Sequence, residues 1–260
     1  MSSQPTRRDN LCAVVLAAGL GTRLRPLTDH LPKPLCPVNN VALLDLALDS
    51  VRPFTPDVAV NVHYMPQLIR DHLAGTNVHI SNESTAALGS AGALGHLHDW
   101  IDGRDVLVRN SDSFLTDDLS QLVTEWDGQS PRLLGRQMPG TSDFGDVQYV
   151  GACLLPGALV ATLPNRFASL YDLIWKPAFD AGRMEFAITR GEFVDCGNPA
   201  DYLQANLIAS GGDSVIGAGA TVEGTLERAV VWPGGLVGPD EALTDCIRIG
   251  ADLTVDTAPK

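Results

Sequence analysis

Short apolar runs alternate with segments whose apolar residues recur at helical spacing. Val14-Val15-Leu16-Ala17-Ala18 reads as a buried strand, ended by Gly19 and Gly21. A polar, proline-bearing loop runs on to Pro37, and Leu43, Leu44, Leu46, Ala47 and Val51 then fall on one helix face. Strands are predicted at 58–62, 78–80, 105–109 and 147–155, with one more ending at Asp195. Helices are predicted at 66–73, 90–97, 119–126, 170–181 and 200–209. Repeated strand–helix alternation implies an α/β domain on a mostly parallel sheet. Ligands of such sheets bind beyond the carboxyl ends of the strands. The polar clusters Gly19–Lys33 and Asn110–Asp112 fall at such ends.

After Gly211-Gly212 the pattern changes. Ile216 and Val222 are six apart, and after a slip of three so are Val231, Val237, Leu243, Ile249 and Val255. A period of six with interspersed Gly and Asp is the mark of a left-handed parallel β-helix. About two coils fit, fewer than the roughly three needed for independent stability. The tail is expected to lean on the preceding domain or on a second subunit, as in a homo-oligomer. The expected domains are a floppy tail at 1–9, a main domain at 10–209 and the β-helix at 213–260.

Composition narrows the chemistry. The chain has 260 residues, with 18 Lys and Arg against 31 Asp and Glu, a formal charge of −13. That balance argues against nucleic acid and against an anionic membrane. No apolar run reaches the ~18 residues of a membrane span. An anionic ligand must be held by a few local cations, and the chain has three lysines, Lys33, Lys176 and Lys260. Five widely spaced cysteines without a C-x-x-C read as buried thiols in the cytoplasm, not as a zinc site. Arg7-Arg8 before an apolar run faintly resembles an export signal, but Asp9-Asn10 follows and no small-residue cleavage site does. No G-x-S-x-G or H-E-x-x-H occurs.

The densest chemistry is Leu16-Ala-Ala-Gly-Leu-Gly-Thr-Arg-Leu-Arg-Pro-Leu-Thr28 with Pro32-Lys33-Pro34. It lacks the Lys-Ser/Thr of a P-loop, and Leu24 stands where a dinucleotide fingerprint needs Gly or Ala. Glycines let backbone N–H groups approach phosphate oxygens. Arg23 offers a bidentate fork and Lys33 a compact charge.

This stretch closely resembles the signature of the sugar-1-phosphate nucleotidylyltransferases, and the resemblance extends over about residues 11–207. Glu83…Leu88-Gly-Ser-Ala-Gly-Ala-Leu94 is similar to the family's base-facing segment. Asn110-Ser111-Asp112 resembles its metal motif, with Ser for the usual Gly. Phe193-Val-Asp-Cys-Gly-Asn-Pro-Ala-Asp-Tyr202 resembles its second aspartate segment, with Asn198 for the usual Thr. The resemblance implies a Rossmann-like nucleotidyltransferase fold, a three-layer αβα sandwich. It also implies condensation of an NTP with a sugar 1-phosphate (or related cyclitol phosphate), giving an NDP-sugar and pyrophosphate. Asp112 and Asp195 would hold Mg²⁺. Arg23, Lys33 and Asp112 would be catalytic. Ala17, Ala18, Gly19, Gly21, Thr22, Glu83 and Gly89 would line the nucleotide. Glu83, an acceptor that two adjacent N–H groups of guanine would match, leans the reading towards GTP over UTP or dTTP. The family's lysine for the sugar phosphate is missing, since residues 113–150 contain none. Arg136 is a candidate substitute. A regulatory nucleotide-binding subunit without turnover is the alternative.

Overall fold

The computed structural model describes residues 10–124 and 126–257. The expected tail 1–9, with Arg7-Arg8, and Lys260 lie outside them. The chain forms two compact units. The first comprises 10–19, 46–111 and 115–193, and the second 20–45, 112–114 and 194–257.

The first unit is a mostly parallel sheet flanked by helices. Its strands are β1 (Leu11–Leu16), β2 (Val58–Val62), β3 (His79–Asn82), β4 (Asp105–Asn110), β6 (Arg132–Ser142), β7 (Gly145–Leu155) and β8 (Glu185–Ile188); the short β5 (Ser113–Leu115), between β4 and β6 in the chain, is not part of this sheet. The sheet order is β8-β6-β7-β4-β1-β2-β3, antiparallel only where β7 meets its neighbours. Register places Asn110, Leu16, Asn61 and Ser81 in one row at the carboxyl edge. Strands covered on both faces need apolar residues throughout. Cys12, Val14, Val106 and Val108 accordingly pack under Ala91 and Leu94 of α3 (Gly89–His96). The helices α1 (Leu43–Val51) and α2 (Pro66–His72) form within a residue of expectation.

Three expectations change. The segment 132–142, to which the pattern assigns no element, is β6, paired with β7. Gly135, Pro139 and Gly140 hide it from pattern reading. A Cβ at Gly135 would lie 2.4 Å from Val147 Cγ1, so the close pairing requires glycine there. The helix expected at 119–126 shortens to one turn, Ser120–Val123. The helix at 170–181 becomes a π turn, Tyr171–Trp175, followed by α-helix Lys176–Asp180. Pro177 has no N–H for the regular ladder, which accounts for the break.

In the second unit, β9 (Phe193–Asp195) leads into α4 (Pro199–Ala209), and the tail is a short left-handed β-helix. One face stacks β10 (Val215–Ile216), β13 (Val230–Val231) and β16 (Cys246–Ile249). The others pair β11 (Thr221–Val222) with β14 (Leu236–Val237), and β12 (Thr225–Glu227) with β15 (Ala242–Thr244). Val231, Val237 and Leu243 fill the inside as expected. Ile216 does not. It occupies the first rung, with no coil beyond it, and is 47% exposed. Val255 lies not on a third coil but on β17 (Leu253–Asp256), which returns antiparallel to β16. Buried Arg248, register partner of Val231, closes that end by donating to the carbonyl oxygens of Leu236 (3.2 Å) and Ala251 and to the Glu241 carboxylate.

The tail leans on its own unit. Val215, Val230 and Ile247 are buried on the outside of the solenoid, where β16 packs on α4. Trp232 Nε1 donates to the Tyr202 hydroxyl (3.0 Å), which donates to the Pro37 carbonyl. Asn40 Nδ2 reaches the Ile216 carbonyl (3.0 Å). No described helix is long and apolar enough to cross a membrane.

Candidate functional site

In the second unit the resemblance-derived charges converge. Gly21 has φ +64°, and a Cβ there would lie 2.8 Å from Thr28 Cγ2 and 3.2 Å from Lys33 Cβ. Thr28 Oγ1 closes the turn by donating to the Gly21 carbonyl (2.8 Å). Pro32 leads into the turn Lys33–Leu35, which buries Lys33. Its Nζ lies 2.8 Å from Asp112 Oδ2 and 3.6 Å from Asp195 Oδ1. Arg23 Nη2 lies 3.6 Å from Asp195 Oδ2. The Cys196 N–H donates to the Asp112 carbonyl (3.1 Å), holding the two aspartate segments side by side. Asn198 caps α4: its Oδ1 accepts from the Asp201 N–H (3.0 Å), and Asn is as good an N-cap as the Thr of the family pattern. Gly197 lets the Arg23 guanidinium lie close, since a Cβ there would come within 3.1–3.2 Å of its atoms.

Two cations and two carboxylates thus balance. Two carboxylates sharing one ammonium suit a hard cation that keeps several waters and takes its other oxygens from substrate, as Mg²⁺ does. Among the described residues no group of three or more His, Cys, Asp or Glu is arranged for a metal held by protein alone.

Flanking Lys33 and Asp195 are two thiols, Cys36 and Cys196. Burial pushes each from an ordinary value near 9 up to about 12, as it does Cys12. They stay protonated at neutral pH and supply no thiolate nucleophile. Raised values mean the folded state holds these protons more tightly than the unfolded chain. Their stabilisation is complete below pH 9 and is lost as pH rises towards 12. Denaturant midpoints measured from pH 8 to 11 are expected to fall above pH 9. A flat profile would mean the thiols are hydrated.

In the first unit Ala17, Ala18 and Gly19 follow β1, and Gly19 is open, with nothing within 4 Å of where a Cβ would be. The Ala17 N–H is taken by Asn61 Oδ1 (2.8 Å), so that donor is not free for a nucleotide. Glu83 is corrected more strongly. It is 3% exposed; its Oε1 accepts from Asn61 Nδ2 (2.7 Å) and its Oε2 from the Leu88 N–H (2.7 Å). Both oxygens are engaged by the protein, not presented to a base. Gly89, with φ +71°, starts α3 where a Cβ would lie 2.5 Å from the Ala168 carbonyl oxygen. Ser111 turns its hydroxyl onto the Leu16 carbonyl (2.7 Å), tying the ends of β4 and β1. Trp175 is buried against Tyr149, with ring centroids 4.6 Å apart. Sequence reasoning missed Asn61. Its signal was a lone amide inside the apolar strand Val58-Ala-Val-Asn-Val62.

Comparison with known proteins identifies the family. Residues 12–138 match the family model described as nucleotidyl transferase. The N-acetylmuramate alpha-1-phosphate uridylyltransferase of Caulobacter vibrioides is 30% identical over 229 residues, 74% of this chain and 94% of that protein. Mannose-1-phosphate guanylyltransferase 1 of Arabidopsis thaliana is 24% identical over 273 residues, covering 89% of this chain and 76% of that one. In fold alone, the crystal structure of mannose-1-phosphate geranyltransferase from Thermus thermophilus superposes with a TM-score of 0.72 at 18% identity, over 95% of each chain. With relatives matched over most of both lengths and the charged motifs in the family's order, this chain is a member of the nucleotidyl transferase family, among the sugar-1-phosphate nucleotidylyltransferases.

Proposed function

We propose that the protein condenses a nucleoside triphosphate with a sugar 1-phosphate, releasing pyrophosphate and an NDP-sugar, with Mg²⁺ as the metal. The observation that carries this is the set Arg23, Lys33, Asp112 and Asp195, paired at 2.8–3.6 Å. A phosphate monoester has a second pKa near ~6, so the sugar phosphate is already an anionic nucleophile and needs no general base. The protein's task is to align two anions and to neutralise charge at the transferring phosphorus. Asp112 and Asp195 hold the metal, which when bound supplies Lewis-acid neutralisation of phosphate oxygens. Lys33 is held rigidly by burial and steadies the phosphates at the reacting centre. Arg23, 72% exposed at its side chain, is free to turn from Asp195 to the departing β,γ-phosphates. Ala18, Gly19, Gly21 and Thr22 offer backbone donors.

The preference for GTP loses its main argument, because Glu83 is buried and both its oxygens already accept from protein donors. The long match to a uridylyltransferase makes UTP the first nucleotide to test. On the sugar side, Arg136 carries the argument for a substituted cation. Its Nε donates to Gln148 Oε1 (2.7 Å), its guanidinium carbon lies 5.4 Å from the Phe193 ring centroid, and it has no carboxylate partner among the described residues. An oriented guanidinium without an acid suits a phosphate.

The test is pyrophosphate release from UTP, GTP or dTTP with N-acetylmuramate α-1-phosphate, mannose 1-phosphate or glucose 1-phosphate, with and without Mg²⁺. Metal-dependent release with at least one pair is expected. Nucleotide binding without release from any pair would favour a regulatory subunit.

A further inference from the structure

Asn61 and Glu83 form a buried bridge between two loops of the first unit. It runs from the Ala17 N–H to Asn61 Oδ1 (2.8 Å), from Asn61 Nδ2 to Glu83 Oε1 (2.7 Å), and from the Leu88 N–H to Glu83 Oε2 (2.7 Å). Both side chains are 3% exposed. The Glu83 backbone is fixed as well: its N–H donates to the Val62 carbonyl (2.9 Å) and its carbonyl accepts from His63 Nδ1 (2.6 Å). One end of the bridge is the first residue after β1. The other directly precedes Gly89 and α3.

Donor and acceptor parity makes the pairing specific. The bridge ends on two N–H donors, so the side chains must present an acceptor at each end and match in the middle. Two amides cannot do this. Each one that accepts outward turns its NH₂ inward, and two NH₂ groups then meet. One amide and one carboxylate can, in either order. A mismatch in so buried a place sets two NH₂ groups against each other in Glu83→Gln or two carboxylates in Asn61→Asp, and one of the loops must move.

We propose that Asn61 and Glu83 are positioning residues for nucleoside recognition. Their bridge fixes the loop 17–19 against the segment 83–89, and nucleotide affinity depends on that spacing. The proposal rests on the nucleotidyltransferase reading above. It gives Glu83 a role behind the site in place of contact with the base.

The test compares the wild type with Glu83→Gln, Asn61→Asp and the double variant. In the double variant the carboxylate stands at 61 and the amide at 83, and every hydrogen bond of the bridge can re-form with the central donor reversed. Calorimetric titrations with Mg²⁺·UTP, Mg²⁺·GTP and Mg²⁺·dTTP are paired with Mg²⁺·tripolyphosphate, which engages the Arg23 and Lys33 cations without a nucleoside. Thermal unfolding is measured in parallel. Each single variant is expected to lose at least about tenfold in affinity for whichever nucleotide the wild type binds. Tripolyphosphate affinity should stay within about threefold, and the double variant should regain nucleotide affinity to within about threefold. Should a single variant fail to fold, the double variant decides: recovery of folding and binding supports the bridge, and failure overturns it. Folded single variants with wild-type nucleotide affinity, or equal losses for nucleotide and tripolyphosphate, overturn the positioning role alone. A wild type that binds none of these nucleotides overturns the function itself, and the role with it.

Discussion

Asp112→Asn and Asp195→Asn are each expected to lower turnover by about a hundred- to a thousandfold, the scale of the several kcal/mol a bound metal contributes to charge stabilisation. The substitution keeps size and removes the charge that faces Lys33 at 2.8 Å or 3.6 Å. Lys33 retains the other aspartate in each variant, so no buried ammonium is stranded. The carboxylates are 40% and 50% exposed, so the stability cost should be about 1–2 kcal/mol, between the surface and buried limits for ion pairs. Pyrophosphate release should therefore collapse at temperatures where circular dichroism still reports a folded chain. Near-normal turnover in both variants would remove the aspartates from the reaction. Loss of fold in step with loss of activity would make their role structural.

Removing the tail after Leu207 should act on stability instead. Its solenoid carries no histidine, and residues 208–260 hold three basic against eight acidic residues, which suits neither acyl transfer nor phosphate binding. Its contribution is burial. Trp232 is 4% exposed and stands edge-on to Tyr202, with centroids 6.4 Å apart, while Val215, Val230 and Ile247 are covered on the outside of the solenoid. Losing one buried Trp costs about 3–5 kcal/mol in a core. For a chain of this size that is a fall in Tm of roughly 10 °C. Trp232→Ala is the gentler version of the same test, and its fall should approach that of the truncation. A truncated chain with unchanged Tm and assembly but no turnover would show that the tail carries chemistry.

The site divides according to how its parts are encoded. Arg23, Lys33, Asp112 and Asp195 were legible because each sits in a contiguous motif whose residue types state their chemistry. Their mutual pairing was not, since it depends on the turn at Lys33, the Asp112 segment and the Asp195 segment of the second unit meeting in space. Glu83 shows the converse. A motif position and an acceptor side chain suggested contact with a base, yet burial and two protein donors give it to the scaffold. Arg136 lay in a segment without a strand signal because glycine and proline interrupt β6, and only pairing with β7 reveals its orientation.

By itself the sequence determined the α/β alternation, the six-residue period of the tail and the family's charged motifs. Each is a local matter of side-chain period, backbone freedom at glycine, or charge type. Tertiary structure alone decided which polar groups face solvent and which are consumed inside. Hydrogen-bond satisfaction is settled between residues far apart in the chain, such as Ala17 and Asn61, or Asn61 and Glu83. It also decided that Ile216 lies open while Arg248 closes the solenoid. A periodic pattern specifies which residues point inward but not where the stack begins and ends, and burial at a rung depends on whether a neighbouring coil exists to cover it.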